Sequence, residues 1–199
     1  ERMNIAVFAS HGGSDLQAIV DGCKSNKINA RVAVVISNNG DSMALQRAQN
    51  EHIPAFHLSI KQFENENQLA EKILEALAEY HIDIIFLAGY MRLLHASVLE
   101  KYHNRIFNIH PALLPKFGGK GMYGIHVHTA VINAREKETG VTIHRVNAEY
   151  DSGEIVAQTT VPVFESDSPE TLAARVLEKE HTFLVDVISE IVNGKIPLG

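Results

Sequence analysis

The chain is poor in cysteine, which limits both its covalent chemistry and its location. Cys23 is the one cysteine among 199 residues. A lone cysteine cannot form an internal disulfide or a cysteine-based zinc site, and it is typical of a reducing compartment. We therefore expect a cytoplasmic protein.

Long hydrophobic runs are also missing. The longest apolar run, residues 82–87, is interrupted by Asp83, whereas a membrane span needs roughly 18–20 apolar residues. Residues 4–9 are too short for the apolar core of a secretory signal. The sequence therefore predicts no membrane partner.

Positive charge is scarce. There are 18 Lys and Arg against 24 Asp and Glu, a formal net charge of -6, and the basic residues do not cluster. Because binding to a phosphate backbone needs a basic footprint, we expect small molecules rather than nucleic acid as partners. The length indicates one domain, residues 1–199, with a full core. We expect either a monomer or a homodimer, which the length does not distinguish.

Hydrophobic patterning predicts an α/β fold. Strand, glycine turn and helix follow one another at the N-terminus, and residues 83–88 are apolar on both faces, as in a sheet covered by helices on both sides. We expect a mostly parallel, twisted sheet of about seven strands, with antiparallel strands near the C-terminal part. The predicted strands are residues 4–10, 31–37, 54–58, 83–88, 105–108, 140–147 and 155–164. The first predicted helix begins near Leu16. The other predicted helices cover residues 42–51, 61–80, 91–101, 126–136 and 168–193.

The first turn, residues 10–15, places two glycines and a serine at a helix start. Free backbone N–H groups and the helix dipole favour a phosphate there. An ordinary tight turn with a serine cap explains the same residues equally well. The spacing matches neither a dinucleotide fingerprint nor a Walker A loop.

Asn108 and His110 are two residues apart at a strand end, so their side chains share a face. An amide and an imidazole that converge suit the oxyanion of an acyl-transfer intermediate. A structural histidine beside a turn-forming asparagine is as good an interpretation. Asp151, in a turn, could raise the pKa of the imidazole, although no spacing shows that it reaches His110.

Two further features suggest function. Glu180 lies on the apolar stripe of the last helix, and it either faces a ligand pocket or has a buried partner, for which His181 is the candidate. His126, His128 and His144, together with His110, raise the possibility of a metal, but His126 and His128 could bind one ion together only in an extended segment. We therefore expect no metal.

Five segments resemble the phosphoribosylglycinamide formyltransferase family, folate-dependent enzymes of purine synthesis. They are residues 10–19 (SHGGSDLQAI), 87–94 (LAGYMRLL), 107–116 (FNIHPALLPK), 140–144 (GVTIH) and 151–155 (DSGEI). The resemblance implies a Rossmann-like formyltransferase fold with a phosphate-binding half, about residues 1–100, and a catalytic and folate-binding half, about residues 101–199. It also implies 10-formyltetrahydrofolate as cosubstrate and glycinamide ribonucleotide as acceptor, without a metal or a covalent intermediate.

The resemblance also assigns residues. The implied catalytic residues are Asn108, His110, Asp151 and His144. The implied ribonucleotide-binding residues are Gly12, Gly13, Ser14, Asp15, Pro111 and Glu180. The implied folate-binding residues are Met91, Arg92, Leu93, Leu94, Val146, Asn147 and Tyr150.

The chain departs from the family pattern at two places. Asp15 stands where the family usually has asparagine, and a carboxylate suits a phosphate site only if its side chain caps the helix. Residues 64–67 lack the basic residue often used for the folate tail, for which Lys61 could substitute. The alternatives are 10-formyltetrahydrofolate hydrolase, expected to carry an N-terminal regulatory domain, and other folate-dependent formyltransferases, such as methionyl-tRNA formyltransferase with its further C-terminal domain.

Overall fold

The computed structural model describes residues 2–199 and contains one seven-stranded sheet with the strand order β3-β2-β1-β4-β5-β6-β7. The first five strands are parallel, and β6 and β7 run antiparallel to their neighbours. The strands are β1 (Met3–Phe8), β2 (Ala30–Ser37), β3 (Ala55–His57), β4 (Ile84–Leu87), β5 (Ile106–His110), β6 (Glu138–Arg145) and β7 (Ile155–Pro162). The predicted fold class is confirmed.

Six helices cover the two faces of the sheet: α1 (Ser14–Lys24), α2 (Met43–Asn50), α3 (Glu66–Glu79), α4 (Ala96–Lys101), α5 (Ile125–Asn133) and α6 (Pro169–Val192). Side chains of β1 alternate between two cores, as the pleat of a strand requires. Ile5 and Val7 pack with α1, α2, α5 and α6, whereas Ala6 and Phe8 pack with α3 and α4. Among residues 2–199, no helix combines the length and hydrophobicity needed to cross a bilayer.

Two predicted helices begin later than expected. The helix predicted over residues 91–101 begins at Ala96, because the His95 side chain caps it by accepting the Ser97 N–H at 3.1 Å. Before it, the Met91 N–H donates to Ser10 Oγ at 2.8 Å, which ties residues 91–94 to the end of β1. The helix predicted from residue 61 begins at Glu66, where Asn65 is the cap, and is preceded by a short 3-10 turn at Ile60–Gln62.

Cys23 lies in the core and is 8% exposed. Burial raises the pKa of its thiol to about 11. The side chain therefore remains a neutral thiol and is unsuited to act as a nucleophile.

Candidate active site

A cavity of about 510 Å³ opens at the carboxyl ends of β1, β4 and β5. The strands that follow β1 in sequence, β2 and β3, lie on one side of it in the sheet, and β4 lies on its other side. In open α/β sheets this reversal of strand order creates a crevice where ligands bind. The volume is in the range of small-molecule sites.

Asn108 and His110 both line this cavity from the end of β5. The Asn108 amide nitrogen lies 3.0 Å from Nε2 of His144 on β6 and 3.3 Å from Oδ1 of Asp151. His144 is opposite Asn108 in the antiparallel pairing of β5 and β6. Strand pairing therefore brings together two side chains that are 36 positions apart.

Asp151 reaches the same point from the turn between β6 and β7. Its Oδ1 lies 3.5 Å from His110 Nδ1 and 3.7 Å from His144 Nε2. Its Oδ2 accepts the Gly119 N–H at 3.0 Å. The left-handed backbone of Asp151, with φ at 53°, belongs to the turn that directs the carboxylate into the cavity. The structure thus supplies the contact that spacing alone could not show.

Carbonyl partners fix the tautomers of both histidines. His110 Nε2 lies 2.7 Å from the Phe117 carbonyl oxygen, which can only accept, so Nε2 carries a hydrogen. The nitrogen of His110 that gains or loses a proton is therefore Nδ1, which faces Asp151. His144 Nδ1 donates to the Arg145 carbonyl at 2.8 Å, leaving Nε2 to accept from Asn108.

The net effect of these surroundings on His110 differs from expectation. Burial lowers the pKa of His110 below its ordinary value of 6.5, and His144 also lowers it. Asp151 and the Phe117 carbonyl act in the opposite direction but do not compensate. Asp151 does raise the pKa of the imidazole, as expected, but burial outweighs it, because His110 is 4% exposed and loses most of its hydration. His110 is therefore mainly neutral at pH 7 in the free protein.

Asp151 keeps its negative charge. Burial raises the pKa of this carboxyl group, but His144 and His110, which favour the carboxylate when they are protonated, and the Gly119 N–H outweigh burial. The net pKa of Asp151 is lower than the ordinary value of 3.8. The site thus combines a carboxylate with a neutral imidazole that can accept a proton beside it.

The other end of the cavity lies at the start of α1. Gly13 is the N-cap residue, with φ at 74° and no side-chain cap. A Cβ at Gly13 would lie 2.8 Å from the Ala44 Cα, so glycine is required there. The free N–H groups of the first turn of α1 suit an anion. Arg47, which sequence reasoning missed, donates from Nε to the Gly12 carbonyl at 2.8 Å and adds a positive charge beside this loop.

Asp15 and Glu180 face each other across this end of the cavity, and both line it. Asp15 does not meet the condition of capping α1, because its side chain is turned towards α6. The candidate partner of Glu180 was His181, but the pKa of Glu180 responds to Asp15. His181 instead lies 3.3 Å from Asp15 Oδ1 and 3.2 Å from Ser14 Oγ.

Most of the residues assigned by resemblance lie on the cavity wall, and four lie next to it. On the wall are Asn108, His110, Pro111, His144, Asp151, Asp15, Glu180, Met91, Arg92, Leu93, Leu94, Val146 and Tyr150. Gly12, Gly13 and Ser14 flank it, between His11 and Asp15. Asn147 lies outside the wall, because its side chain accepts the Glu149 N–H at 2.9 Å and the Ser152 hydroxyl at 2.8 Å within its own loop.

The sequence analysis missed the wall formed by residues 119–124. This stretch, which includes Lys120, Met122 and Tyr123, covers one side of the cavity. Gly119, Gly121 and Gly124 adopt positive φ there. The glycines of residues 111–124 are typical of a loop, but they give no indication that its backbone binds Asp151.

The histidines proposed as alternative metal ligands do not form one site. His126 and His128 lie in α5, where residues two apart point to different faces. A carboxylate oxygen of Asp15, one of Glu180 and a ring nitrogen of His181 do lie within 4.8 Å of one another. A cluster of this composition could hold a divalent cation if all three groups were deprotonated.

An α/β sheet whose cavity brings together an amide, an imidazole and a carboxylate is the fold and site of an acyl-transfer enzyme. Comparison with known families identifies which family this is. The family profile described as "Formyl transferase" matches residues 3–188. The chain belongs to the formyl transferase family.

Individual relatives are more specific. The chain is 40% identical over 196 residues to the chloroplastic phosphoribosylglycinamide formyltransferase of Arabidopsis thaliana, covering 98% of this chain and 67% of that protein. It is 37% identical over 196 residues to phosphoribosylglycinamide formyltransferase of Escherichia coli K12, covering 98% and 90%. The crystal structure of glycinamide ribonucleotide transformylase 1 from Symbiobacterium toebii superposes with a TM-score of 0.90 at 37% identity, covering 97% of this chain and 89% of that one.

Proposed function

We propose that this chain transfers the formyl group of 10-formyltetrahydrofolate to the amine of glycinamide ribonucleotide, a step of de novo purine biosynthesis. The observation that carries the proposal is the convergence of Asn108, His110 and Asp151 on one wall of a cavity that ends at the N-terminus of α1. The names of the relatives support this pair of substrates.

The reaction exchanges one C–N bond for another. The amine nitrogen attacks the formyl carbon, and negative charge collects on the formyl oxygen. Asn108 stabilises this oxyanion by donating from its amide. The Asn108 amide lies 3.3 Å from Asp151 and 3.0 Å from His144. The substrate oxygen replaces the contact with Asp151, because that contact is the longer of the two. The bond to the folate nitrogen then breaks, and that nitrogen ends with the proton that the amine has lost.

His110 and Asp151 move this proton. Because Nε2 of His110 is held by the Phe117 carbonyl, the proton arrives at Nδ1, within 3.5 Å of the Asp151 carboxylate. The imidazolium formed there is stabilised by Asp151 and by the oxyanion. His144 positions Asn108 through its Nε2 and keeps its own tautomer through the Arg145 carbonyl.

The two substrates bind at different parts of the cavity. The ribonucleotide phosphate binds at the start of α1, beside Gly12, Gly13 and Ser14, and Glu180 meets its ribose. The pterin ring lies against residues 91–94 and the loop from Val146 to Tyr150. The chemistry needs the formyl donor as a cosubstrate and uses no metal.

The test is product analysis with formyl-labelled 10-formyltetrahydrofolate, with and without glycinamide ribonucleotide. We expect the label on the glycinamide nitrogen when the ribonucleotide is present, and negligible formate when it is absent. Formate released at the same rate without the ribonucleotide would show a hydrolase instead. Label retained on the folate under both conditions would refute formyl transfer.

A further inference from the structure

Asp15 introduces a negative charge where the proposed function places a phosphate. Its side chain is 13% exposed, and Oδ1 is buried without a hydrogen-bond partner although His181 Nε2 lies 3.3 Å away. An anion at the start of α1 would meet this carboxylate as well as the N–H groups of the helix. The charge that Asp15 and its neighbours carry therefore decides how well an anion binds.

Glu180 is the nearest partner that could change this charge. It is 6% exposed, and one of its carboxylate oxygens lies within 4.8 Å of an Asp15 oxygen. Burial raises the pKa of Glu180 well above its ordinary value, and the charge of Asp15 and a hydrogen bond with Asp15 raise it further. Two buried carboxyl groups at this distance cannot both ionise without a large cost.

We propose that Asp15 and Glu180 hold one proton between them, and that the phosphoribosyl end of the substrate binds to this singly charged pair and is repelled by the doubly charged pair. The inference rests on the proposed function, because it concerns the ribonucleotide end of the same cavity. The protonated carboxyl can also donate a hydrogen bond to a ligand oxygen, which a carboxylate cannot do.

Few ionisable side chains contact Asp15 and Glu180 directly. Asp15 faces Glu180 from α1, and His181 on α6 contacts Asp15. Apart from tyrosines, the other ionisable side chains on the cavity wall are His11, Arg92, His110, Lys120, His144, Glu149 and Asp151. The substrate itself also ionises. A variant that changes only Asp15 keeps all of these groups, so a difference between the two proteins reports on Asp15 and the two groups next to it, Glu180 and His181.

The experiment measures KM for glycinamide ribonucleotide and for 10-formyltetrahydrofolate between about pH 6 and pH 9.5 in the wild type and in Asp15→Asn. Once the pair loses its proton, the ribonucleotide KM of the wild type should rise by up to about tenfold per pH unit relative to that of Asp15→Asn. The folate KM should not show this divergence. Asp21→Asn is the matched control, because Asp21 is exposed on the same helix and bonds Gln17 at 3.0 Å. It should follow the wild type.

Calorimetry of ribonucleotide binding without folate gives a second readout. In two buffers of different ionisation enthalpy at alkaline pH, the wild type should take up more protons on binding than Asp15→Asn. A KM ratio that stays constant with pH, equal proton uptake in both proteins, or the same divergence in Asp21→Asn would overturn the proposal. Absence of formyl transfer by the wild type at every pH would instead reject the proposed function. Proton uptake measured by calorimetry would then still test whether Asp15 and Glu180 share a proton.

Discussion

His110 is subject to two opposing influences, and their balance sets its charge. Burial favours the neutral ring, whereas Asp151 at 3.5 Å favours the imidazolium. Because burial dominates, the ring is ready to accept the proton of the attacking amine instead of holding one beforehand. Negative charge on the formyl oxygen then favours the imidazolium at the stage where it is needed.

This balance predicts the titration of His110. By NMR, the His110 ring should titrate below its ordinary value of 6.5 in the wild type, and its pKa should fall further in Asp151→Asn, because that substitution removes a charge that raises the pKa. A wild-type value above 6.5, or a rise in Asp151→Asn, would show that burial does not dominate.

The three converging side chains should each be needed for turnover. Asn108→Ala, His110→Ala and Asp151→Asn should each lower kcat by about two orders of magnitude or more, because each removes an interaction made in the transition state. Steady-state kinetics with circular dichroism and thermal unfolding separates this effect from loss of the fold. Wild-type rates in all three folded variants would rule out the mechanism.

Sequence reasoning was more successful for some residues of the site than for others. Asn108 and His110 could be paired because strand alternation is a local rule. Asp151 could not be placed, since its contact depends on a turn and on the Gly119 amide, 32 positions away. Glu180 lines the cavity, which was one of its two interpretations, but its candidate partner His181 was wrong, because Asp15 comes close only when α1 packs on α6.

At the level of secondary structure, the turn between β6 and β7 determines where Asp151 lies. Gly153 passes so close to β6 that a Cβ on it would be 1.7 Å from the Arg145 carbonyl oxygen. A larger residue must displace this turn. The turn is therefore part of the site, although Gly153 itself carries no chemistry.

Gly153→Ala should therefore lower kcat by about tenfold or more by shifting Asp151 away from His110, since displacements near 1 Å can cost that much. The neighbouring Ser152→Ala, on the exposed side of the turn, should change kcat by about twofold or less. Rates and unfolding temperatures of both variants provide the check. Equal kcat in Gly153→Ala and the wild type would mean that the turn tolerates the shift.

Local patterns predicted the order and type of the elements better than their ends. The helix predicted over residues 91–101 was wrong at residues 91–95, because the Ser10 hydroxyl and the His95 cap override the apolar spacing. The strand predicted to end at Asn108 extends to His110, because pairing with β6 continues to Thr142. Both differences come from contacts between distant segments.

At the scale of the whole molecule, topology explains why the site forms where it does. The strand order reverses beside β1, and the polar residues that follow β1, β4 and β5 meet there. The apolar character of β4 predicted a central strand and helices on both faces. Neither the strand order nor the cavity follows from composition, because both depend on which strands pair.

The proposed chemistry also predicts how the whole protein responds to metal removal. Burial and the charge of Asp15 raise the pKa of Glu180 well above its ordinary value, and a metal ligand must be deprotonated, so the Asp15, Glu180 and His181 cluster is a poor metal site. Formyl transfer should stay within about twofold of its starting rate after prolonged chelation. Stoichiometric zinc in the purified protein, lost together with activity, would contradict this prediction.

The most direct test of the convergence at the cavity is a double-mutant cycle on single-turnover formyl transfer with Asn108→Ala, Asp151→Asn and the combined variant. If the two side chains act as one unit on the formyl group, the combined variant should lose about as much rate as the more damaging single substitution. If the combined loss equals the product of the two single losses, Asn108 and Asp151 act independently, and the proposed mechanism is wrong.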